Sequence, residues 1–414
     1  MNKKWSITGG LLAVVSLALV GCGSAAPGND DGVTISYFNW SANGGHEEDL
    51  QAIADAFHKE NPDITVDLQT VPYDGYFTAL QTAVAGGSPA DTFELNYEEF
   101  SSYADAGALA ELDGVDTGVY VDDLVNGFQF DGKQYGLPTA FQAGILAYNK
   151  TLFDAAGVEY PTADWTWDDA RSAAEKITKP DQNVWGLQQP AHFWEFYSTL
   201  AAAGGQFFND DKSEVTFNSP EGLEAWQWLT GKSGVIAPPV NEIAGIPDIE
   251  STMFKAGQLG MWQVASGAIS GLRETADDWD IQIVPALKSH TAYAFVNMVG
   301  VSSSTKQKDA AQKWAVFLTS SDAAVDARVG SSWDLPALKD TSKFQQWIED
   351  APPANKAAVL EAGADSVYPP TLTGKQTELQ DILNEELTAT TSGEKTAEQA
   401  ISDAAQRVNE LIQR

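Results

Sequence analysis

Residues 33–68 read VTISYFNWSANGGHEEDLQAIADAFHKENPDITVDL, and this stretch decides the fold class. Its first six residues, Val33-Thr34-Ile35-Ser36-Tyr37-Phe38, are β-rich. Leu50, Ile53, Ala54 and Phe57 then recur at helical spacing until Asn61-Pro62 stops the pattern. Ile64, Val66 and Leu68 alternate next. A strand, a helix and a strand joined this closely favour a parallel sheet with helices on its faces. A second helix follows on Tyr76, Leu80, Ala83 and Val84, ends at Gly86-Gly87, and leads to another strand near Thr92-Phe93-Glu94-Leu95. The chain is therefore α/β.

Working toward the C-terminus, Ser219-Pro220 supplies a cap and a first-turn proline ahead of Leu223, Trp226 and Leu229. Ala310, Ala311, Trp314 and Leu318 mark another helix. The last one carries Ala397, Ala400, Ile401, Ala404, Val408, Leu411 and Ile412 as one apolar stripe, with Glu398, Asp403, Arg407 and Glu410 opposite. No repeat of solenoid length appears.

Working toward the N-terminus, the sole cysteine, Cys22, sits behind Lys3, Lys4 and the apolar residues 11–20. Leu19-Val20-Gly21-Cys22 resembles a bacterial lipobox, which implies a signal peptide over residues 1–21, lipid on Cys22 and an extracytoplasmic, membrane-anchored protein. The plainer alternative is an uncleaved membrane helix, but residues 7–20 supply about two-thirds of the roughly 20 apolar residues a bilayer demands. Residues 22–32, mostly GSAAPGNDDG, read as a flexible tether. With its thiol acylated the mature chain has no disulfide, so the core alone must hold it.

Removing residues 1–21 leaves 414 − 21 = 393 residues, a length that suits two lobes. It also leaves 24 − 2 = 22 basic against 58 acidic residues, or −36. Such a surface repels phosphate backbones and excludes nucleic acid as a partner class, while solubility is the simpler reason for the acidity.

Asp131-Gly132-Lys133-Gln134-Tyr135-Gly136-Leu137-Pro138, Tyr148-Asn149-Lys150, Leu152-Phe153, Ala156-Gly157 and Asp164-Trp165-Thr166-Trp167 occur in that order. Ala106-Gly107-Ala108-Leu109, the run FKAGQLGM at 254–261 and residues 302–318 support them. In these segments the chain resembles family 1 extracellular solute-binding proteins, the carbohydrate-capturing lipoprotein subunits of bacterial ABC importers, similar to maltose-binding protein. Physically, Gly132 and Gly136 suit a turn, Pro138 an extended crossing, and Thr166 an N-cap. Trp167 reads as packing.

The resemblance implies a two-lobed, type II periplasmic-binding-protein-like fold with three hinge crossings, near Phe141, Pro285 and Ser331, and a ligand cleft between the lobes. Residues 33–141 plus 286–331 would form the N-terminal lobe and 142–285 plus 332–414 the C-terminal lobe. It further implies a monomer that delivers a carbohydrate to permease transmembrane subunits. No cofactor and no metal are implied.

Sugars present apolar C–H faces and many hydroxyls, so their sites combine aromatic platforms with groups that donate and accept. Thirteen tryptophans make the chain a plausible supplier, though most belong in cores. Trp40 and Asn43 follow the first strand, where open α/β sheets place ligands, and Asn96, Tyr97 and Glu98 follow the third. Loop packing is the competing role for all five. Gln142 aligns with a sugar-contacting carboxylate of the maltose relative. In the second lobe, Gln188-Gln189-Pro190 precedes His192, Phe193 and Trp194, which makes Gln189, His192 and Trp194 candidates. Trp194 is the preferred platform, against a buried helix-start role. Trp333 at the third crossing could close over the solute or pack the hinge. Many relatives carry G-x-W where this chain has Ala265-Ser266-Gly267, so the usual platform is missing and Trp262 is not assumed to replace it.

A glycosidase would need two carboxylates roughly 5 to 10 Å apart across a bond, and the adjacent pairs Glu98-Glu99 and Asp168-Asp169 point apart. Lipid-anchored hydrolase remains the minor alternative, with a sensor subunit as a third class. His46, His58, His192 and His290 are scattered, which gives no zinc cage, and G-x-S-x-G, Walker and dinucleotide patterns do not appear.

Overall fold

The computed structural model describes residues 32–41, 45–273, 275–331 and 333–414. Cys22, the signal and tether segments, and Asn43 lie outside the described residues. β1 (Val33–Asn39), α1 (Glu47–Glu60), β2 (Ile64–Thr70), α2 (Tyr73–Ala85), β3 (Thr92–Asn96) and α3 (Tyr97–Asp105) follow the alternation legible in the sequence. Leu50, Ile53, Ala54 and Phe57 are the buried stripe of α1. β1 runs parallel to both β2 and β3.

Next come β4 (Gly136–Asn149), α4 (Trp167–Ile177), β5 (Trp185–Gln188), α5 (Phe193–Ala202), α6 (Pro220–Thr230), β6 (Leu259–Ala265) and β7 (Trp279–Gln282). The chain finishes with β8 (Ala292–Val301), α7 (Lys308–Ser320), α8 (Asp322–Gly330), α9 (Ala357–Ala364), β9 (Ser366–Val367), α10 (Gln376–Thr391) and α11 (Ala397–Gln413). Along the sheet the order is β2-β1-β3-β8-β4-β6-β5, with β9 on β8 and β7 on β4.

Two lobes share this sheet. β4 is the seam: residues 136–143 pair antiparallel with β8, while residues 144–149 pair with β6 and β7 of the second lobe. Pro138 has no N–H to give the ladder, and the register shifts there, between Asn297 and Met298. Gly132, at φ +73, does serve a tight turn. Gly136 does not. It opens β4, and a Cβ there would lie 2.1 Å from Met298 Sδ, so close approach rather than turning requires the glycine.

The other two passages differ in place from the sequence expectation. Around Pro285 the chain is still bonded to second-lobe backbone, Ala286 N to Trp165 O at 2.8 Å and Lys288 N to Ala202 O at 2.9 Å, and β8 starts only at Ala292. Beyond Ser331, Val121 N and Phe141 N still donate to Ala337 O and Leu335 O. Backbone pairing, invisible in composition, decides both.

Aromatic packing supplies the cores. Trp314 of α7 meets Tyr37 and Phe57 edge-on at 5.7 and 5.3 Å. In the second lobe Phe196, Phe217 and Trp226 are fully buried, each contributing about 1.5–3 kcal/mol by leaving water. Trp226 also ties α6 to α10 through Nε1 to Thr390 Oγ1, 3.0 Å. Thr166 caps α4 in a reciprocal box with Asp169, and Trp167 stacks on Trp228 at 4.7 Å.

Candidate functional site

The site grows from the turn after β3. Asn96 Oδ1 accepts from Glu99 N at 3.0 Å and starts α3, while Asn96 Nδ2 donates to the Tyr73 hydroxyl at 3.2 Å. This cap fixes the first turn of α3 and turns Glu98 toward the second lobe. Glu98 is 8% exposed, and its Oε1 accepts from Trp194 Nε1 of α5 at 2.9 Å and from Gln380 Nε2 of α10 at 3.2 Å. One carboxylate thus clasps two helices of the other lobe. Burial pushes its pKa up, against the two donors. Beside it, Gly374 N donates to Ser102 Oγ at 3.1 Å, and Tyr97 stacks on Tyr368 at 4.7 Å.

Behind the clasp, Trp194 lies edge-on to Phe295 at 5.4 Å and against the His192 ring at 4.7 Å. His192 Nδ1 is buried and has no hydrogen-bond partner among the described residues. Burial lowers its pKa to about 4, so the ring is neutral near pH 7 and can both donate and accept.

Phe295 pairs with Gln142 across β8 and β4, so both side chains stand on one face of the sheet. A Cβ at Gly267 would come within 2.6 Å of Gln142 Oε1 and 2.7 Å of Nε2. The amide of Gln142 therefore lies directly against Gly267, where any side chain would meet it. Trp262 is no substitute platform, being 9% exposed and packed near Phe254.

Asn96, Tyr97, Glu98, Gln142, His192 and Trp194 are thus brought together. Trp40 stands one step away: its ring meets Tyr73 and Tyr76 edge-on at 5.5 and 4.7 Å, and Tyr73 holds Asn96. Two candidates are placed elsewhere. Gln189 is 6% exposed, and protein groups take both ends of its amide: Trp228 Nε1 and Lys232 Nζ donate to Oε1 at 2.8 and 3.2 Å, and Nε2 donates to Glu195 at 3.3 Å. It belongs to a buried network whose Glu195 is pushed up to about 8 by burial. Trp333 stacks with His46 at 4.8 Å and has the Arg328 guanidinium 4.2 Å from its centroid, so its ring already serves protein packing.

Sequence reading did not find Gln380, Tyr368 or Phe295. Tyr368 precedes Pro369-Pro370, a weak loop signal, while Gln380 is one polar residue among many on a surface helix. The acid pairs weighed for hydrolysis do not combine: Glu98 is engaged in the clasp, and Asp169 serves the Thr166 cap.

A two-lobed sheet with polar and aromatic groups converging between the lobes suits capture rather than bond cleavage. The model of the bacterial extracellular solute-binding proteins matches residues 43–325, more than half the chain. This chain belongs to that family. An ABC substrate-binding protein from Listeria monocytogenes, solved in complex with cycloalternan, is 36% identical, with a TM-score of 0.85 over 92% of this chain and 99% of that one. A putative binding protein from Brucella abortus is 25% identical over 100% of this chain and 99% of its own. A probable amino-acid ABC transporter periplasmic-binding protein from Sinorhizobium fredii is 27% identical over 69% and 65%. Solute-binding proteins of this family are binding proteins rather than enzymes. Among the described residues no helix is long and apolar enough to cross a membrane.

Proposed function

We propose that this solute-binding protein captures a carbohydrate, an oligosaccharide, between its lobes and presents the closed form to the permease of an ABC importer. It is tethered to the outer face of the cell membrane by lipid on Cys22. The observation that carries the solute class is the convergence of an indole, two phenol rings, a carboxylate and two amides where the lobes meet: Trp194, Tyr97, Tyr368, Glu98, Gln380 and Gln142. Rings cover the C–H faces of a sugar, and carboxylates and amides pair its hydroxyls. Opening would bend the chain where β4 and β8 pass between lobes, so that closure and capture are one equilibrium.

Calorimetry against mono- and oligosaccharides and amino acids, with product analysis of the same mixtures, tests this. Saturable binding of an unaltered saccharide is expected. Binding of amino acids alone would overturn the solute class, and turnover would overturn the receptor.

A further inference from the structure

Glu195 neighbours Trp194 in the first turn of α5, and its buried carboxyl points into the second lobe rather than the clasp. That turn has no side-chain cap of its own. His192 at the cap makes no side-chain bond to it, and Phe193 N donates instead to Asn384 Oδ1 of α10 at 2.8 Å. Glu195 is what ties the turn to the sheet. Its Oε2 accepts from Gln263 Nε2 of β6 at 2.8 Å and from Gln189 Nε2, just past β5, at 3.3 Å. A further hydrogen bond joins the carboxyl to the Tyr293 hydroxyl of β8. The Tyr293 ring in turn meets Phe295 at 5.0 Å, and Phe295 meets Trp194 edge-on.

One obligate donor sets the direction of these bonds. An indole N–H only donates, so Trp228 Nε1 at 2.8 Å makes Gln189 present Oε1 to it, which turns Gln189 Nε2 toward Glu195. Lys232 Nζ, 3.2 Å from the same Oε1, agrees. Glu195, Gln189, Gln263 and Lys232 are all buried, where an uncompensated charge is costly. Burial holds Glu195 up to about 8, so it is a neutral acid near pH 7. Around it stand Lys232 after α6, held by burial well below the usual ammonium range and linked to Glu195 through the Gln189 amide, and Arg171 of α4, 5.0 Å from the Trp228 ring. Tyr293 on β8 and Tyr197 on α5 are raised by burial, and Glu98 of the first lobe acts on Tyr197.

Resting on the saccharide reading above, we infer that Glu195 is a positioning residue for capture: bonded to Gln189, Gln263 and Tyr293, it holds the first turn of α5 against the sheet and so aims the Trp194 indole at Glu98. It acts through Trp194 and touches no solute. A neutral carboxyl accepts from both amides on one oxygen without bringing a charge into the lobe. Loss of its proton above about pH 8 places that charge among groups set for a neutral acid, and the turn that carries Trp194 must shift to accommodate it. Solute affinity is thereby linked to a proton that the solute never meets.

Calorimetry with maltose, maltotriose and isomaltotriose between about pH 6 and 9.5 tests this on the wild type, Glu195→Gln and Glu195→Ala, with circular dichroism confirming folding at each pH. Glu195→Gln keeps the shape of the neutral acid and cannot ionise. Wild-type affinity is expected to hold to about pH 8 and then to fall by up to about tenfold per pH unit. Glu195→Gln should bind within about threefold of the wild type at neutral pH and show no such fall. Glu195→Ala leaves two buried amide donors unpaired and should bind at least about tenfold more weakly at neutral pH. Parallel profiles for wild type and Glu195→Gln, or a wild-type profile flat across the range, would overturn the positioning role while leaving saccharide capture standing. So would a folded Glu195→Ala with a lower melting temperature and unchanged affinity. Should the alanine variant not fold, the first two profiles decide by themselves. No saccharide binding in any of the three would overturn capture itself, and the role of Glu195 with it.

Discussion

Glu98→Ala should loosen the contact between the two lobes. Its carboxylate is the shared acceptor of Trp194 Nε1 and Gln380 Nε2, at 2.9 and 3.2 Å, and these donors come from two different helices of the second lobe. A hydrogen bond to a charged group is worth about 1.5–3 kcal/mol net, but the second contact is long, so we take the low end for each. The closed arrangement then loses about 3 kcal/mol against the open one, or roughly 100-fold in the closure equilibrium, since ~1.4 kcal/mol is a factor of ten. Binding coupled to closure should weaken by a similar factor. Glu98→Gln keeps one neutral acceptor of the same shape and should lose about half as much free energy. Small-angle scattering reads the lobe separation with and without saccharide, and calorimetry reads the affinity. Scattering curves for Glu98→Ala that overlay the wild type in both states, together with unchanged affinity, would refute the clasp.

Gly267→Ala should keep the fold, since the atoms it meets are the mobile end of Gln142, yet displace that amide and weaken saccharide binding about tenfold; wild-type affinity with a well-folded variant removes Gln142 from the site. Burial holds Glu94 up to about 7 and Glu195 up to about 8. Both stay protonated in the folded protein above the pH where the unfolded chain ionises them. Their stabilisation is therefore complete below about pH 4.5 and is lost as pH rises through 7 and 8, by at most ~1.4 kcal/mol per pH unit for each group. Denaturant melts of Glu195→Gln should show a shallower fall across that window, and parallel curves would contradict the assignment. Thr166→Ala should destabilise the chain by about 1 kcal/mol through the lost cap of α4, read from the same melts. Cys22→Ala should abolish metabolic labelling with palmitate and release the protein from membranes, whereas retention in the membrane fraction would argue for an uncleaved helix.

Much of the fold is written locally. The period of Leu50, Ile53, Ala54 and Phe57 and the alternation from Ile64 to Leu68 depend only on which face each residue shows the core, and both recur in α1 and β2. Caps at Thr166 and Ser219 are equally local. What sequence misplaces is long-range. That Gly136 answers to Met298, or that the chain near Ala286 is held by Trp165, is fixed by partners over a hundred residues away. The same division runs through the site. The position of Asn96, Tyr97 and Glu98 just after β3 is legible locally, whereas Gln380 meets Glu98 only because α10 folds back beside α5. The contacts of Gln189 with Trp228 and Lys232 are likewise fixed by residues remote in sequence.

β4 carries its hydrogen bonds from one lobe into the other by changing partners, pairing with β8 up to Ala143 and with β6 from Gly144. Two lobes joined by loose loops could wander. A hydrogen-bonded ribbon resists shear and yields mainly by flexing and twisting, so these lobes should swing along a narrow arc. Each release of solute would then return Glu98 to a path that leads back to the same two donors.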